Sequence, residues 1–335
     1  MKRFPPFDGK IEKAHNDCCK RHILDGISKI LANEIFCPVQ KKYVNDIREF
    51  FVADGLIAKA NNLMRFAQRI DKIYLDGDDI PLQIVKVNSL FEKYNVFDYE
   101  NFRNLKGRGE NGWGGNPLMK ELLKRAKVCP YCNCDMVYAI ELECGGKGKP
   151  PIVKSAFDHF LPRWRYPFLA LCLYNMIPSC YRCNSQFKRA NYIDVMRTFH
   201  PYLDDVDDLT VFVPQNLTAV VWKGQEGDER VEISLHPRTK GEAGRTECYN
   251  RLFGINEVYT QLYRKETIGI IQKAKVCPPP YMEQVERMFA AAGILNFDPH
   301  CFLYNVSDRR EDIDMYRLSK LSLDLEEMVV NGQVA

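Results

Sequence analysis

Three short stretches decide how this chain is read: Cys129-Pro130-Tyr131-Cys132, then Phe157-Asp158-His159-Phe160, then Tyr174-Asn175-Met176-Ile177-Pro178-Ser179-Cys180-Tyr181-Arg182-Cys183-Asn184. Each Cys-x-x-Cys pair can grip one edge of a tetrahedron from a tight turn, so the four thiolates suit a structural zinc. A simple zinc ribbon separates its pairs by roughly 15–20 residues. Here residues 133–179 intervene. The insert carries an Asp-His dipeptide, and the last cysteine is followed at once by an asparagine.

At 335 residues the chain can bury a sizeable core. No run approaches the roughly 18 apolar residues needed to cross a bilayer, and Met1-Lys2-Arg3-Phe4 leads into charged residues rather than an apolar segment. The expectation is a cytoplasmic protein with no membrane partner, whose 13 cysteines are thiols or metal ligands rather than disulfides. The net charge is only +3, yet residues 120–200 hold 13 Lys/Arg against 6 Asp/Glu. A basic excess around the two pairs is the footprint of a polyanion-binding surface, although a solvated basic face has the same composition.

Periodicity predicts an α+β chain in three parts. Residues 1–115 form a mostly helical region, with Ile23, Ile27, Ile30 and Leu31, and then Ile57, Ala60, Met64 and Ala67, at helical spacing. The glycine-rich stretch Lys106–Asn116 is the candidate linker, and Asn116 is expected to cap a helix with Pro117 at its first position. Residues 116–200 are the module around the cysteines, expected as a strand over Ile152–Phe160, a strand over Leu169–Ile177 stopped by Pro178, and a helix over Asn184–Phe199. Residues 201–335 are a mixed, mainly helical region for substrate or partner binding. It has short strands over Thr210–Val213, Thr218–Trp222 and Val231–Leu235, then apolar stripes at Tyr281, Val285, Met288 and Phe289 and at Leu318, Leu321, Leu325 and Met328.

Phosphodiester cleavage needs a base for water, a cation for developing charge, and groups that hold the phosphate in line. His159 is the candidate base, because its unperturbed pKa lies near neutrality. Asp158 offers a hard oxygen and Asn184 an amide oxygen, leaving most of an octahedral Mg²⁺ or Mn²⁺ shell to water and phosphate. Arg163, Arg165, Arg182, Lys188 and Arg189 are candidate phosphate contacts, and Trp164 and Tyr166 are candidates for stacking on bases.

With its order of motifs, the segment from about 127 to 190 resembles the HNH nuclease superfamily in its zinc-bound ββα-metal form. The resemblance implies that His159 activates the attacking water, that Asp158 and Asn184 coordinate the catalytic metal, and that Asn175 braces the loop carrying the histidine. Asn184 departs from the third letter of the family name, in the manner of the junction resolvases of the endonuclease VII type. The words Leu161-Pro162, Tyr166-Pro167, Cys183-Asn184 with Lys188, and His200-Pro201-Tyr202-Leu203 are similar to bacterial anti-phage HNH proteins. Some of these act beside an ABC-type ATPase, as in Septu-like systems. The implied partners are nucleic acid, with DNA first, and such an ATPase. A zinc module that binds nucleic acid without cutting it remains the rival reading.

Other residues draw plainer expectations. Cys134 lies close enough to compete with Cys132, and Cys144 is a further thiol near the pair. His15, Cys18, Cys19 and His22 share helical spacing and are read as a helix face. His22, His236 and His300 are structural, and His200 is expected to support a turn beside Pro201.

Overall fold

The computed structural model describes all residues except 76–78, 106, 108–111, 143–151, 190, 218–230, 296 and 333–335. Cys144, Thr218–Trp222 and part of the expected linker therefore lie outside the described residues. The chain is α+β and mainly helical, with three two-stranded antiparallel sheets among the described residues.

The first helices are α1 (Gly9–Asn33), α2 (Pro38–Val52), α3 (Ala60–Tyr74), α4 (Leu82–Lys93) and α5 (Tyr99–Asn104). In α1 the Asp8 carboxylate accepts from the Ile11 amide, which occupies an otherwise orphan donor of the first turn. The helix then buries His15, Cys19, Ile23, Ile27 and Ile30 along one face. The expected stripe holds in part: Ile57 lies in a separate 3₁₀ turn and Met64 is half-buried, whereas α3 buries Ala60 and Ala67 together with Leu63, Phe66, Ile70 and Tyr74.

Helix α6 (Gly115–Leu123) begins two residues earlier than its sequence signal, with Gly114 as the N-cap. The cap is a glycine because φ is +154° there and an added Cβ would sit 2.4 Å from the Leu105 side chain. Asn116 faces inward and accepts from the Lys154 ammonium instead of capping. The described end of the expected linker is packed rather than loose, since the Trp113 indole donates to His15 Nδ1 at 3.1 Å.

Strands β1 (Ala139–Glu141) and β2 (Ile152–Lys154) form one small sheet, and β3 (Ala156–His159) and β4 (Met176–Ser179) form the next. The second expected strand of the module is thus moved. Leu169–Ile177 is mostly turn, with 3₁₀ segments at Pro167–Leu169 and Leu173–Asn175, and Pro178 sits inside β4 opposite Phe157. A proline is tolerated there because a two-stranded sheet consists of edges. The expected helix over Asn184–Phe199 is two pieces: a π-helical turn over Arg182–Lys188, then α7 (Tyr192–Arg197).

The remaining elements are α8 (Val206–Leu209), β5 (Thr210–Gln215), β6 (Glu232–Pro237), α9 (Ala243–Phe253), α10 (Ile255–Leu262), α11 (Arg264–Val276), α12 (Pro279–Ala291), α13 (Pro299–Tyr304) and α14 (Ser319–Val330). No described helix is long and apolar enough to cross a membrane. One buried cluster contains side chains from all three expected regions, from Ile23 and Phe51 through Phe160 and Leu173 to Tyr259 and Leu321.

Buried charge locks the C-terminal part. The Lys320 ammonium, fully buried, donates to Asp324 at 2.9 Å and to the Thr210 carbonyl at 2.8 Å, and lies 3.3 Å from Asp207. Arg310 meets both carboxylates from the other side. Removing one partner of such a group strands uncompensated charge. Lys320→Met should therefore lower stability by about 3 kcal/mol in chemical denaturation, and an unchanged midpoint would contradict this network's role.

Candidate active site

The four cysteines converge. Cys129, Cys132, Cys180 and Cys183 are all buried, and their sulfurs lie within 4.8 Å of one another. Thiolates 2.3 Å from a tetrahedral zinc stand roughly 3.8 Å apart. The Cys132 and Cys180 sulfurs are separated by 3.9 Å. The cluster can hold a metal ion, and its donor set and spacing fit zinc.

Local turns aim the sulfurs. In the first pair the Asn133 amide donates to the Cys129 carbonyl at 2.8 Å, with Asn133 at φ +55°. In the second the Cys183 amide points at Cys180 Sγ at 3.4 Å. The first turn is also clamped by the C-terminal region. Asn133 Nδ2 donates to the Ile313 carbonyl at 2.8 Å, its Oδ1 accepts from the Lys320 amide at 3.1 Å, and the Tyr259 hydroxyl donates to the Cys132 carbonyl at 2.7 Å. Cys134, the expected competitor, is buried beside Cys132 but contacts Arg182 Nη2.

Between the two pairs runs the β3–β4 hairpin, in which Asp158 faces Ile177 and His159 faces Met176. Asn175 holds the loop after β3 with three hydrogen bonds. Its Oδ1 accepts from the Leu161 amide at 2.7 Å, and its Nδ2 donates to the carbonyls of Leu161 and Leu169, both at 3.1 Å. The geometry is that of a brace on the histidine loop.

His159 ends β3 and is buried. Its Nε2–H donates to the Ala170 carbonyl at 2.9 Å, which leaves Nδ1 as the unprotonated nitrogen. Tyr99 packs edge-on against the ring, with centroids 4.5 Å apart. Burial pushes the imidazole down to about 3, helped by the Arg163 charge, so it is neutral at pH 7.

Asp158, also buried, has both oxygens engaged. The Lys188 ammonium donates to Oδ1 at 2.8 Å and to Oδ2 at 2.6 Å, and the Tyr131 hydroxyl donates to Oδ2 at 2.6 Å. Lys188 gives its third proton to the His159 carbonyl at 2.5 Å. Burial pulls the ammonium below its ordinary value while Asp158 pushes back. Asn184 is half-buried on the π-helical turn, its amide donating to the Cys180 carbonyl at 3.1 Å. Among the described residues, no trio of His, Cys, Asp or Glu ligand atoms includes Asp158. As arranged, Asp158 and Asn184 do not fit a divalent cation, because the carboxylate is already neutralised.

No family model, curated protein or solved structure matches this chain.

The expected phosphate contacts divide in two. Arg163 is exposed, 3.4 Å from Glu100, with its guanidinium over the Tyr99 ring. Arg165 is buried and donates to Asp71 at 3.1 Å, and Tyr166, expected to stack on bases, donates its hydroxyl to the same carboxylate at 2.6 Å. Lys188 is buried on Asp158, and Arg182 pairs with Asp135 at 2.9 Å. Arg165, Lys188 and Tyr166 are thus interior links rather than a surface for phosphates or bases. Trp164 is 43 % exposed. With Arg163, Tyr99, Glu100, Pro167 and Ala170 it lines a cleft of about 410 Å³. Two of those residues, Tyr99 and Ala170, touch His159.

Sequence reasoning missed Tyr131 and Tyr99. The first lies inside the Cys-Pro-Tyr-Cys word itself, while Tyr99 belongs to α5 and carries no local signal. His200 behaves as expected, its Nδ1 accepting from the Tyr202 amide at 3.1 Å, and it also packs on Phe160. His15 is a buried link to the Leu171 carbonyl at 2.7 Å, and the described metal-ligand groups do not include it.

Two tests follow from this geometry. Metal analysis should return about one zinc per chain, Cys183→Ser should lose it together with cooperative unfolding, and Cys134→Ser should keep it. Zinc-free protein with unchanged stability would contradict the centre. The second test concerns acid. Burial holds His15 near 4 and His159 and His200 near 3, whereas each titrates near 6.5 once unfolded. The unfolded chain then binds protons that the folded chain refuses. Stability should be complete above about pH 6.5 and fall toward pH 4 and 3, by up to about 1.4 kcal/mol per pH unit for each histidine. Denaturation midpoints flat between pH 7 and 5 would contradict it.

Proposed function

We propose that this chain is an HNH-type endonuclease that hydrolyses nucleic-acid phosphodiester bonds, DNA first. The observation that carries the reading is the order of elements around the cysteine cluster. A hairpin presents Asp158 and His159 at the end of its first strand, Asn175 braces the loop between the strands, and a helical turn bearing Asn184 leaves the second cysteine pair. A pure binding module has no need of a braced histidine in its neutral form.

On this reading His159 takes the proton of the attacking water at Nδ1 while its Nε2–H stays on the Ala170 carbonyl. Arg163 contributes positive charge from the adjacent cleft, and Trp164 offers a face on which an exposed base stacks. The Mg²⁺ or Mn²⁺ that the resemblance implies would bring further charge stabilisation, but Asp158 as arranged does not offer it a ligand. A role in anti-phage defence beside an ABC-type ATPase rests on the resemblance alone.

A second reading, binding without cleavage, is favoured by the internal satisfaction of both Asp158 and His159. Plasmid nicking with Mg²⁺ or Mn²⁺, against an EDTA control, separates the two. Wild-type protein should nick. His159→Ala should lose at least about 100-fold in rate with its zinc content unchanged. Equal rates for the two proteins would end the assignment of His159. Binding that weakens steeply with salt, without nicking by wild type under any metal, would favour the binding module.

A further inference from the structure

Lys188 is the least expected group in the candidate site. A lysine on the helical turn of a basic module is expected to lie on its surface. Instead its ammonium is buried and spends all three protons inside, on the two Asp158 oxygens and the His159 carbonyl. The Phe160 ring closes another side, 5.7 Å from the nitrogen. A buried carboxylate requires a counter-charge, and Lys188 supplies one in direct contact with both oxygens.

The segment that delivers Lys188 is itself unusual. Arg182–Lys188 is wound as a π-helix, a form rare in proteins and frequent at functional sites. It ends at Arg189, whose φ of +42° with ψ of −123° is a costly conformation for a residue with a Cβ. The wide π winding sets the direction in which Lys188 leaves the helix axis. Rewinding to the ordinary α form, with fewer residues per turn, would carry Lys188 around the axis and away from Asp158.

We propose that Lys188 is the resident cation of the Asp158 site: it excludes divalent metal in this conformation, and metal enters only when the π-helical turn withdraws it. A divalent ion placed beside an unmoved ammonium would meet repulsion, and the carboxylate it needs is already shared between two donors. The inference rests on the nuclease reading only for the use the metal would serve, not for the occupancy of Asp158.

The test uses the full zinc-loaded chain and Mn²⁺ as probe, with binding read by electron paramagnetic resonance and nicking measured separately. Lys188→Gln removes the charge and keeps one amide donor, on a side chain one atom shorter. It should bind Mn²⁺ at least tenfold more tightly than wild type, and adding Asp158→Asn should abolish the gain. A folded Lys188→Gln with wild-type affinity overturns the proposal. So does tight, Asp158-dependent binding by wild type, an outcome that leaves the nuclease reading standing. A tenfold gain without nicking by any variant supports the proposal and sinks the nuclease reading. Should Lys188→Gln fail to fold, crystals of the wild-type protein soaked in Mn²⁺ decide the matter. Manganese at Asp158 with Lys188 still on both oxygens refutes the proposal. Manganese with Lys188 displaced, or none at that carboxylate, upholds it.

Discussion

The convergence of four thiols is the constraint from which the rest of the site follows. Cys132 and Cys180 are far apart in sequence, yet their sulfurs lie 3.9 Å apart. Closing a flexible loop of that size costs roughly 3.5 kcal/mol before any contact is made. A structural zinc in that cluster, worth about 10–16 kcal/mol in small metal-folded peptides, would outweigh that cost several-fold. Once closed, the loop brings the start of the π-helical turn against the β3–β4 hairpin, which sets Lys188 on Asp158 and leaves His159 under Tyr99.

Burial then governs the chemistry. An ammonium and a phenol satisfy the enclosed Asp158 carboxylate, and a histidine as enclosed as His159 persists neutral because charging it would be costly. The same low-polarity surroundings that give such groups their strength also keep them occupied by their neighbours. Reactivity here is a matter of which partner holds each group, more than of which groups are present.

Much of this was legible in the sequence, for reasons that differ by residue. The cysteine pairs are read directly because metal geometry imposes their spacing. The helical N-terminal region follows from apolar periodicity, and so does extended chain over Ile152–His159, although it is divided at Ser155 between two sheets; Asn175, singled out by the resemblance, makes three hydrogen bonds across the loop after β3. Local patterns failed where a distant partner decides the outcome. Arg165 looks like a surface cation until Asp71, on α3, buries it. Lys188 looks the same until Asp158 does so. Leu169–Ile177 has strand-like composition, yet Ala170 and Asn175 are spent on the histidine and its loop, and the segment turns instead of extending. Asn116, a good cap by type, is drawn inward by Lys154.

The turn that carries Cys129 and Cys132 is anchored from the C-terminal region. Asn133, Tyr131 and Cys132 are held by backbone and side chains of Ile313, Lys320, Tyr249 and Tyr259, all far downstream in the chain. The hairpin with its cysteines is therefore not a portable cassette that the flanking segments merely decorate. Its packing is tied to theirs: a shift in the C-terminal helices would move the first cysteine pair, and a change in that turn would be felt at Ile313 and Lys320. The cluster is therefore built as one piece with its surroundings, and loosening a C-terminal helix would also loosen the turn that carries Cys129 and Cys132.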